Sequence, residues 1–389
     1  MKIMVLTSRF PYPLEKGDKL RVFHQIVGLA KSNEIVLCSL TDHEVSEEHL
    51  DQLRPHCASI HLFRLSKWLI YPRLLRWFLR GNSIQVGYFT NYVIRRKIRK
   101  LVFKEKPDHI YCQLVRMAEY VRDIFHVSKT IDYMDAFSKG MERRASDSPF
   151  PLNYIFKRES KYLREYEAKV FYDFDLCTII SEQDREYIRN PYNDQIKVIP
   201  NGVNTSEFFF ESNPKASVDL LFVGNMSYYP NVKAAEYLVQ KIGAQLNEKG
   251  LELKINVAGA SPSPLVQSLA SNQVEVSGWV DDIVATYHNA KIFVAPLFHG
   301  SGLQNKILEA MACGVPVITT TQTNNAIKAK PGEELVLADN EQEFTDAIIR
   351  LLEDESYFME LRTKARKFVE QNYSWDVFVS ALLDEIKKT

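Results

Sequence analysis

Residues 299–320 read HGSGLQNKILEAMACGVPVITT. Gly300 and Gly302 bracket Ser301 and feed a short helical pattern that stops at Gly314 and ends in a β-branched run. Glycine permits positive φ and close backbone approach. A glycine turn entering a helix leaves unpaired N–H groups facing outwards, and the helix dipole adds partial positive charge there. This is an anion site, with phosphate the usual occupant. Lys306 adds a full charge near the helix start, and Glu309 lies about one turn further along the same face. A carboxylate there accepts two hydrogen bonds from a vicinal diol such as a ribose. Phosphate donors followed one turn later by a diol acceptor describe a nucleoside diphosphate. The same residues also fit a plain strand-to-helix turn whose glycines serve packing, because an isolated GxG is a weak signal.

Both halves of the 389-residue chain alternate short strands with helices. In the first half, Ile3–Leu6, Ile35–Leu40, Ile60–Leu65, His109–Gln113, Thr130–Tyr133 and Thr178–Ser181 read as strands. Helical patterns at Leu20–Lys31 and Met117–Phe125 lie between them, with a long charged helix over 155–171. In the second half the strands are Leu220–Gly224, Lys254–Ala258, Val274–Ser277, Ile292–Ala295, Val317–Thr320 and Leu335–Ala338. Most are continuously apolar, which suits parallel sheets covered on both faces. The expected fold class is α/β, with two doubly wound Rossmann-like domains facing a central cleft. The expected divisions are residues 1–200, residues 201–373 and a terminal helix within 374–389, with packing back onto the first domain as one option. Glycine turns at Gly17, Gly224, Gly259, Gly278 and Gly300/Gly302 follow strands, at the ends where such folds bind ligands.

Composition narrows the classes. The five cysteines lie far apart without a CxxC pair and read as free thiols in a reducing cytosol. Ile3–Leu6 is too short for a signal-peptide core, and no run of about 18 apolar residues suggests a membrane span. The net charge of zero conceals 30 lysines and arginines against 19 acids in residues 1–170, and the reverse in the remainder.

The run GSGLQNKILEAMACGVPVI resembles the signature of the nucleotide-sugar glycosyltransferases of family 4, which have the GT-B fold. SEQDREY, VIPNGVNTSEF, GWVDDIVATYHNAKIFVAPL and NYSW resemble that family's other landmarks, in its order. RFPYPLEKGDKLR, FVGNMSYYPNVKAAEYL and GLQNKILEAMA are similar to a subgroup associated with exopolysaccharide and exosortase-type gene sets. The resemblance implies that Glu309 holds the donor ribose and that Gly300, Ser301, Gly302, Leu303, Gln304 and Asn305 line the donor phosphates and sugar. It implies that Gly278, Trp279 and Val280 meet the base, that Gly17 approaches donor and acceptor, and that Asn201 and Gly202 form the hinge-side turn. Gly224 and Asn225 complete the expected donor set.

Two departures from that pattern matter. The family's second glutamate falls at Ser301, and its usual arginine and lysine fall at Asn225 and Pro230. Cleavage still develops negative charge on the leaving diphosphate. Lys306 is the expected substitute, with Lys233 and Arg9 behind it. In TIDYMDAFS the family's histidine is missing, so Asp135 is the first candidate for a polar contact to sugar or acceptor. Asp132, Ser138, Gln113 and Arg116 complete that side, and Asp132 reads equally as a helix cap or buried acceptor. His299 beside the glycine turn reads as structural. Asp281-Asp282 lacks DxD spacing, so no metal and no cofactor beyond the sugar nucleotide is expected. The resemblance implies retention at the anomeric carbon.

Residues 52–104 contain 12 lysines and arginines and no acid. Amphipathic tryptophan–arginine segments suit an anionic bilayer surface. The expected membrane contacts are Trp68, Arg73, Arg76, Trp77, Arg80, Arg95, Arg96 and Lys97. The rival reading is a helix over 91–104 whose Ile94, Ile98 and Leu101 stripe lies in the core. No nucleic-acid module is present. The sequence thus reads as a cytoplasmic, membrane-peripheral glycosyltransferase with a nucleoside-diphosphate sugar donor and a glycan or lipid-linked acceptor. A nucleotide-sugar 2-epimerase and a non-catalytic sugar-nucleotide scaffold are its rivals.

Overall fold

In KIMVLT, Ile3 and Val5 join one apolar layer and Met4 and Leu6 another. The same split divides Ile35 and Leu37 from Val36 and Cys38. Side chains alternate along a strand, so a strand apolar at every position must be covered on both faces. The computed structural model shows this arrangement, and it describes residues 1–14, 16–65, 74, 77–79, 81–298 and 303–389.

The chain divides into two units, one of Met1–Asn201 with Phe378–Thr389 and one of Gly202–Val377. The first holds β1 Lys2–Thr7, β2 Glu34–Thr41, β3 Ser59–Arg64, β4 His109–Gln113, β5 Ser128–Asp132, β6 Leu176–Ile179 and β7 Lys197–Val198. Their order is β3-β2-β1-β4-β5-β6-β7, parallel throughout. The Gly17–Ala30 helix covers one face with Val22, Ile26 and Leu29. The closing helix Trp375–Ile386 adds Val379, Leu382 and Ile386 to the same layer.

The second unit holds β8 Val218–Val223, β9 Ile255–Ala258, β10 Val274–Gly278, β11 Ala290–Ala295, β12 Val317–Thr319 and β13 Val336–Leu337. Their parallel order is β10-β9-β8-β11-β12-β13. Strand order reverses beside β8 and β11, which places a switch point at their carboxyl ends.

Two local expectations need correction. The Met117–Phe125 pattern forms only a 3-10 turn over Val115–Tyr120, entered through Leu114 at φ 68. Its residues are buried almost without exception, so tertiary packing overrides the helical period there. The second basic stretch forms the Tyr92–Glu105 helix, capped by Asn91, whose side chain accepts from Val93 and Ile94 N–H. Its Ile94, Ile98 and Val102 lie in the core with Leu101 packed alongside, so the apolar stripe is not available to a bilayer. Arg95 is half-buried and pairs with Asp123 at 2.8 Å, which removes it from the membrane set. Arg96 and Lys97 remain exposed. Trp77 is half-buried against Gly87, while Trp68, Arg73, Arg76 and Arg80 lie outside the described residues.

Candidate functional site

A parallel sheet puts every carboxyl end on one edge, so the turns after β8, β9 and β10 meet there. Gly224 N–H donates to Ala258 O at 3.0 Å, and Gly259 N–H donates to Gly278 O at 2.7 Å. Gly259 has φ +135, and a Cβ there would stand 1.7 Å from the Gly224 carbonyl oxygen. Backbone packs on backbone at this corner, and only glycine permits it.

The Asn305–Ala312 helix follows β11 and begins on this same edge. Gln304 precedes it without a side-chain capping bond. Lys306 turns inward: its ammonium donates to Asn231 Oδ1 at 2.5 Å and sits 4.8 Å from the Phe222 ring centre. Buried Asn231 is itself fixed, donating through Nδ2 to the Asn225 carbonyl at 3.0 Å. Burial pushes Lys306 down to about 8, against the pull of Glu309. One turn on, Glu309 Oε2 accepts from the Tyr287 hydroxyl at 3.0 Å. Tyr287 is wholly buried, and its hydroxyl lies 3.1 Å from the Lys306 carbonyl. Burial raises Glu309, and Tyr287 and Lys306 only partly offset it.

The helix therefore carries a cation and a carboxylate that are both short of solvation. Neither is spent on the other, since Lys306 bonds Asn231 and Glu309 bonds Tyr287. A buried charge short of partners is costly alone and favourable once a ligand supplies them. A phosphate would relieve Lys306, and hydroxyl donors would relieve Glu309.

Other expected donor residues take different positions. Gly278 has φ +69 with open space around it, and Trp279 beyond it is 74% exposed. The Trp279 indole donates to Asp281 Oδ1 at 3.2 Å, and Asp282 caps the Ile283–His288 helix at Ala285 N–H. Val280 and Leu303 pack against the core, Gln304 is half-buried and Asn305 exposed. Asn225 turns its own side chain back to Ser227. Gly202 is a packing glycine, since a Cβ would lie 2.5 Å from Trp375 N. Lys233 pairs with Glu236 at 2.7 Å and Arg9 with Asp18 at 3.1 Å, so neither is a spare cation. His299, Gly300, Ser301 and Gly302 lie outside the described residues.

In the first unit the carboxyl end of β5 carries a buried ion pair. Arg21 Nε donates to Asp132 Oδ2 at 2.6 Å, both side chains at 0% exposure. Tyr111 and Gln25 also donate to that oxygen, at 2.7 and 3.3 Å, and Met134 N–H donates to Oδ1 at 3.1 Å. Asp132 is thus a structural acceptor and is corrected as a sugar contact: its oxygens are occupied and unreachable. Arg21 also reaches Asn201 Oδ1 at 2.9 Å, which makes Asn201 an anchor at the end of this unit. Gln113 is buried and donates to Asp18 O at 2.5 Å, so it too is withdrawn from the ligand side. Arg116 is buried between the Phe89 and Phe137 rings, at 4.9 and 4.7 Å, and burial pushes it down to about 10. Asp135 keeps partial exposure, and Gly17 opens the first helix with a Cβ position 3.3 Å from Met134.

Ser138 is buried, and its N–H donates to Glu167 Oε1 at 3.0 Å, so its place is in the frame. Burial pushes Glu167 up to about 7. A carboxyl raised on folding weakens the fold as pH climbs from its unfolded value towards 7. Glu167→Gln is expected to raise the melting temperature at pH 8 by a few degrees, about what 1 kcal/mol gives a domain of this size. That gain should vanish below about pH 4.5, where both forms are neutral. Thermal melts across pH check it.

Reading the sequence alone missed Asn231 and Tyr287, which hold the two site charges, and Arg21 with Gln25. A signal existed for the last pair: they lie four apart among Val22, Ile26 and Leu29, so a polar couple faces the core.

Residues 217–354 match the family model described as Glycosyl transferases group 1. An uncharacterized 44.6 kDa protein in the cps region of Klebsiella pneumoniae is 21% identical, over 99% of each chain. The capsular polysaccharide biosynthesis glycosyltransferase CapM of Staphylococcus aureus is 26% identical over 45% of this chain and 49% of its own. Among solved structures, Anabaena Alr3699/HepE in complex with UDP superposes with a TM-score of 0.65 at 13% identity, covering all of both chains. A sucrose-phosphate synthase from Thermosynechococcus elongatus gives 0.63 at 17% identity, over 100% of this chain and 99% of its own. At such identities the structural likeness establishes the fold, which is GT-B.

Proposed function

We propose that this chain, which carries a group 1 glycosyl transferase domain, moves a sugar from a nucleoside diphosphate to a glycan or lipid-linked acceptor in polysaccharide synthesis. The observation that carries the reading is the pair on the Asn305–Ala312 helix: Lys306 held by Asn231 and Glu309 held by Tyr287, one turn apart. Glu309 accepts the ribose hydroxyls, with Tyr287 fixing its orientation. Lys306 meets the diphosphate and gains most when the sugar–phosphate bond breaks and charge collects on the leaving oxygen. The acceptor oxygen bonds to the anomeric carbon, and its proton leaves with the departing diphosphate or to solvent. Retention at that carbon follows the family resemblance. The complexes of the structural neighbour Alr3699/HepE with UDP and UDP-glucose support a uridine nucleotide as the first donor to try. Asp281 and Asp282 are engaged with the Trp279 indole and the Ala285 N–H.

The test is turnover of nucleoside-diphosphate sugars with and without a glycan acceptor. Acceptor-dependent transfer supports the reading. Sugar isomerisation without an acceptor would favour an epimerase, and binding without any turnover a scaffold.

The lowered Lys306 adds a pH signature. Free protein loses this charge near pH 8, while a bound diphosphate would hold the proton on. Nucleotide affinity is expected to fall about tenfold per pH unit above 8, with proton uptake on binding, and Lys306→Gln should flatten that slope. Calorimetry in buffers of different ionisation enthalpy measures both.

A further inference from the structure

In the first unit, two helices, Phe137–Asp147 and Leu152–Val170, form an antiparallel pair. Ser160 Oγ donates to Ser138 O at 2.8 Å, and Arg164 meets Glu142 at 3.3 Å. The connecting tip reads SPFPLNYI over 148–155, and its large apolar residues point outwards. Phe150 is 83% exposed and Tyr154 67%, with Leu152 and Ile155 also exposed. Tyr154 and Ile155 lie four and three residues before Arg158, on one helix face. The Arg158 guanidinium lies 3.8 Å over the Phe78 ring and donates to the Phe78 carbonyl oxygen. Phe78 is exposed and its neighbour Leu79 is 75% exposed, so the apolar surface continues from the tip across Arg158.

Positive charge outweighs negative around this patch. Arg144, Lys157 and Lys161 are exposed and make no ion pair among the described residues. Residues 139–164 hold seven lysines and arginines against three acids. Of those acids, Glu142 is taken up by Lys139 and Arg164, Glu159 is buried against Ser83 and the Ile84 and Gln85 N–H groups, and Asp147 is the third. Exposed aromatic and aliphatic side chains ringed by lysine and arginine match an anionic bilayer, with rings at the headgroup level and cations on lipid phosphates. A protein partner would need its own acidic rim.

We propose that the tip of this helical pair, Phe150, Leu152, Tyr154 and Ile155 with Phe78 and Leu79, is the surface by which the protein docks on an anionic membrane. It replaces the Tyr92–Glu105 helix in that role, since the apolar stripe of that helix is in the core. It rests on the proposed transfer reaction only for its purpose, which is to bring the enzyme to a lipid-linked acceptor.

The experiment is co-sedimentation of the full chain with vesicles of equal parts phosphatidylcholine and phosphatidylglycerol, and with phosphatidylcholine alone. The variants are Phe150→Asp with Leu152→Asp, and Phe125→Asp as control. Phe125 is 84% exposed and lies in a different loop. Wild type is expected to bind the anionic vesicles and to release as salt rises. The double variant should bind about tenfold less or weaker still, and the control like wild type. Turnover of a water-soluble acceptor by the double variant should stay unchanged, which separates this proposal from the transferase reading. No binding to anionic vesicles at low salt would overturn it. So would equal loss in the control, wild-type binding by the double variant, or a wild-type dimer that the double variant abolishes.

Discussion

Arg21→Met is expected to destabilise the first unit by about 3–5 kcal/mol, the range for removing one partner of a buried ion pair. The substitution keeps the volume and leaves Asp132 charged at 0% exposure. Burial alone would raise the Asp132 carboxyl, but Arg21 above all, then Tyr111 and Gln25, hold it below its ordinary value. Without Arg21 that balance reverses and the carboxyl protonates or the fold opens. Asn201 Oδ1 and the Pro200 carbonyl lose their donor as well. Asp132→Asn added to Arg21→Met should recover part of the loss, because the uncompensated charge is gone while Tyr111 and Gln25 still have an acceptor. Urea unfolding of wild type, single and double variants measures both terms. Equal stability of wild type and Arg21→Met would show that the pair carries no weight.

Glu309→Ala is expected to lower kcat/KM by about 100- to 10,000-fold, the loss of two hydrogen bonds to a charged acceptor at about 1.5–3 kcal/mol each. Glu309→Gln keeps one acceptor oxygen and should fall between. Stability should move the other way. Burial raises Glu309, so its ionised form costs the free protein, and Gln in its place should leave the melting temperature unchanged or higher. A residue kept only for packing would show the opposite pattern, with stability lost and turnover retained. Steady-state kinetics together with melts of the same preparations separates the two.

The strands were legible because runs such as IMVL and FVAP are apolar at every position, and only buried parallel strands need that. β7, at two residues, is too short to leave a pattern. The charges of the second-unit site were legible too, since Lys306 and Glu309 lie three apart on a short helix. Their holders were not: Asn231 comes from the Tyr229–Tyr237 helix and Tyr287 from the Ile283–His288 helix. Lys306 reaches Asn231 across 75 positions of sequence, and no local period encodes such a contact. The basic stretch misled for a related reason. A stripe such as Ile94, Ile98 and Leu101 is written identically whether it meets a core or a lipid surface. Asp132 shows the same ambiguity at one residue, and Arg21 beside it makes it a buried acceptor.

Lys306 and Glu309 together are expected to hold a nucleoside diphosphate. The most direct measurement is a thermal-shift screen of nucleoside diphosphates on wild type, Lys306→Gln and Glu309→Ala. A nucleotide at about 100 times its Kd should add about 2.7 kcal/mol to stability. A rise in Tm with one base is expected in the wild type, and none at that concentration in either variant. A rise of equal size in all three proteins would place the nucleotide elsewhere and contradict a role for Lys306 and Glu309 in holding it.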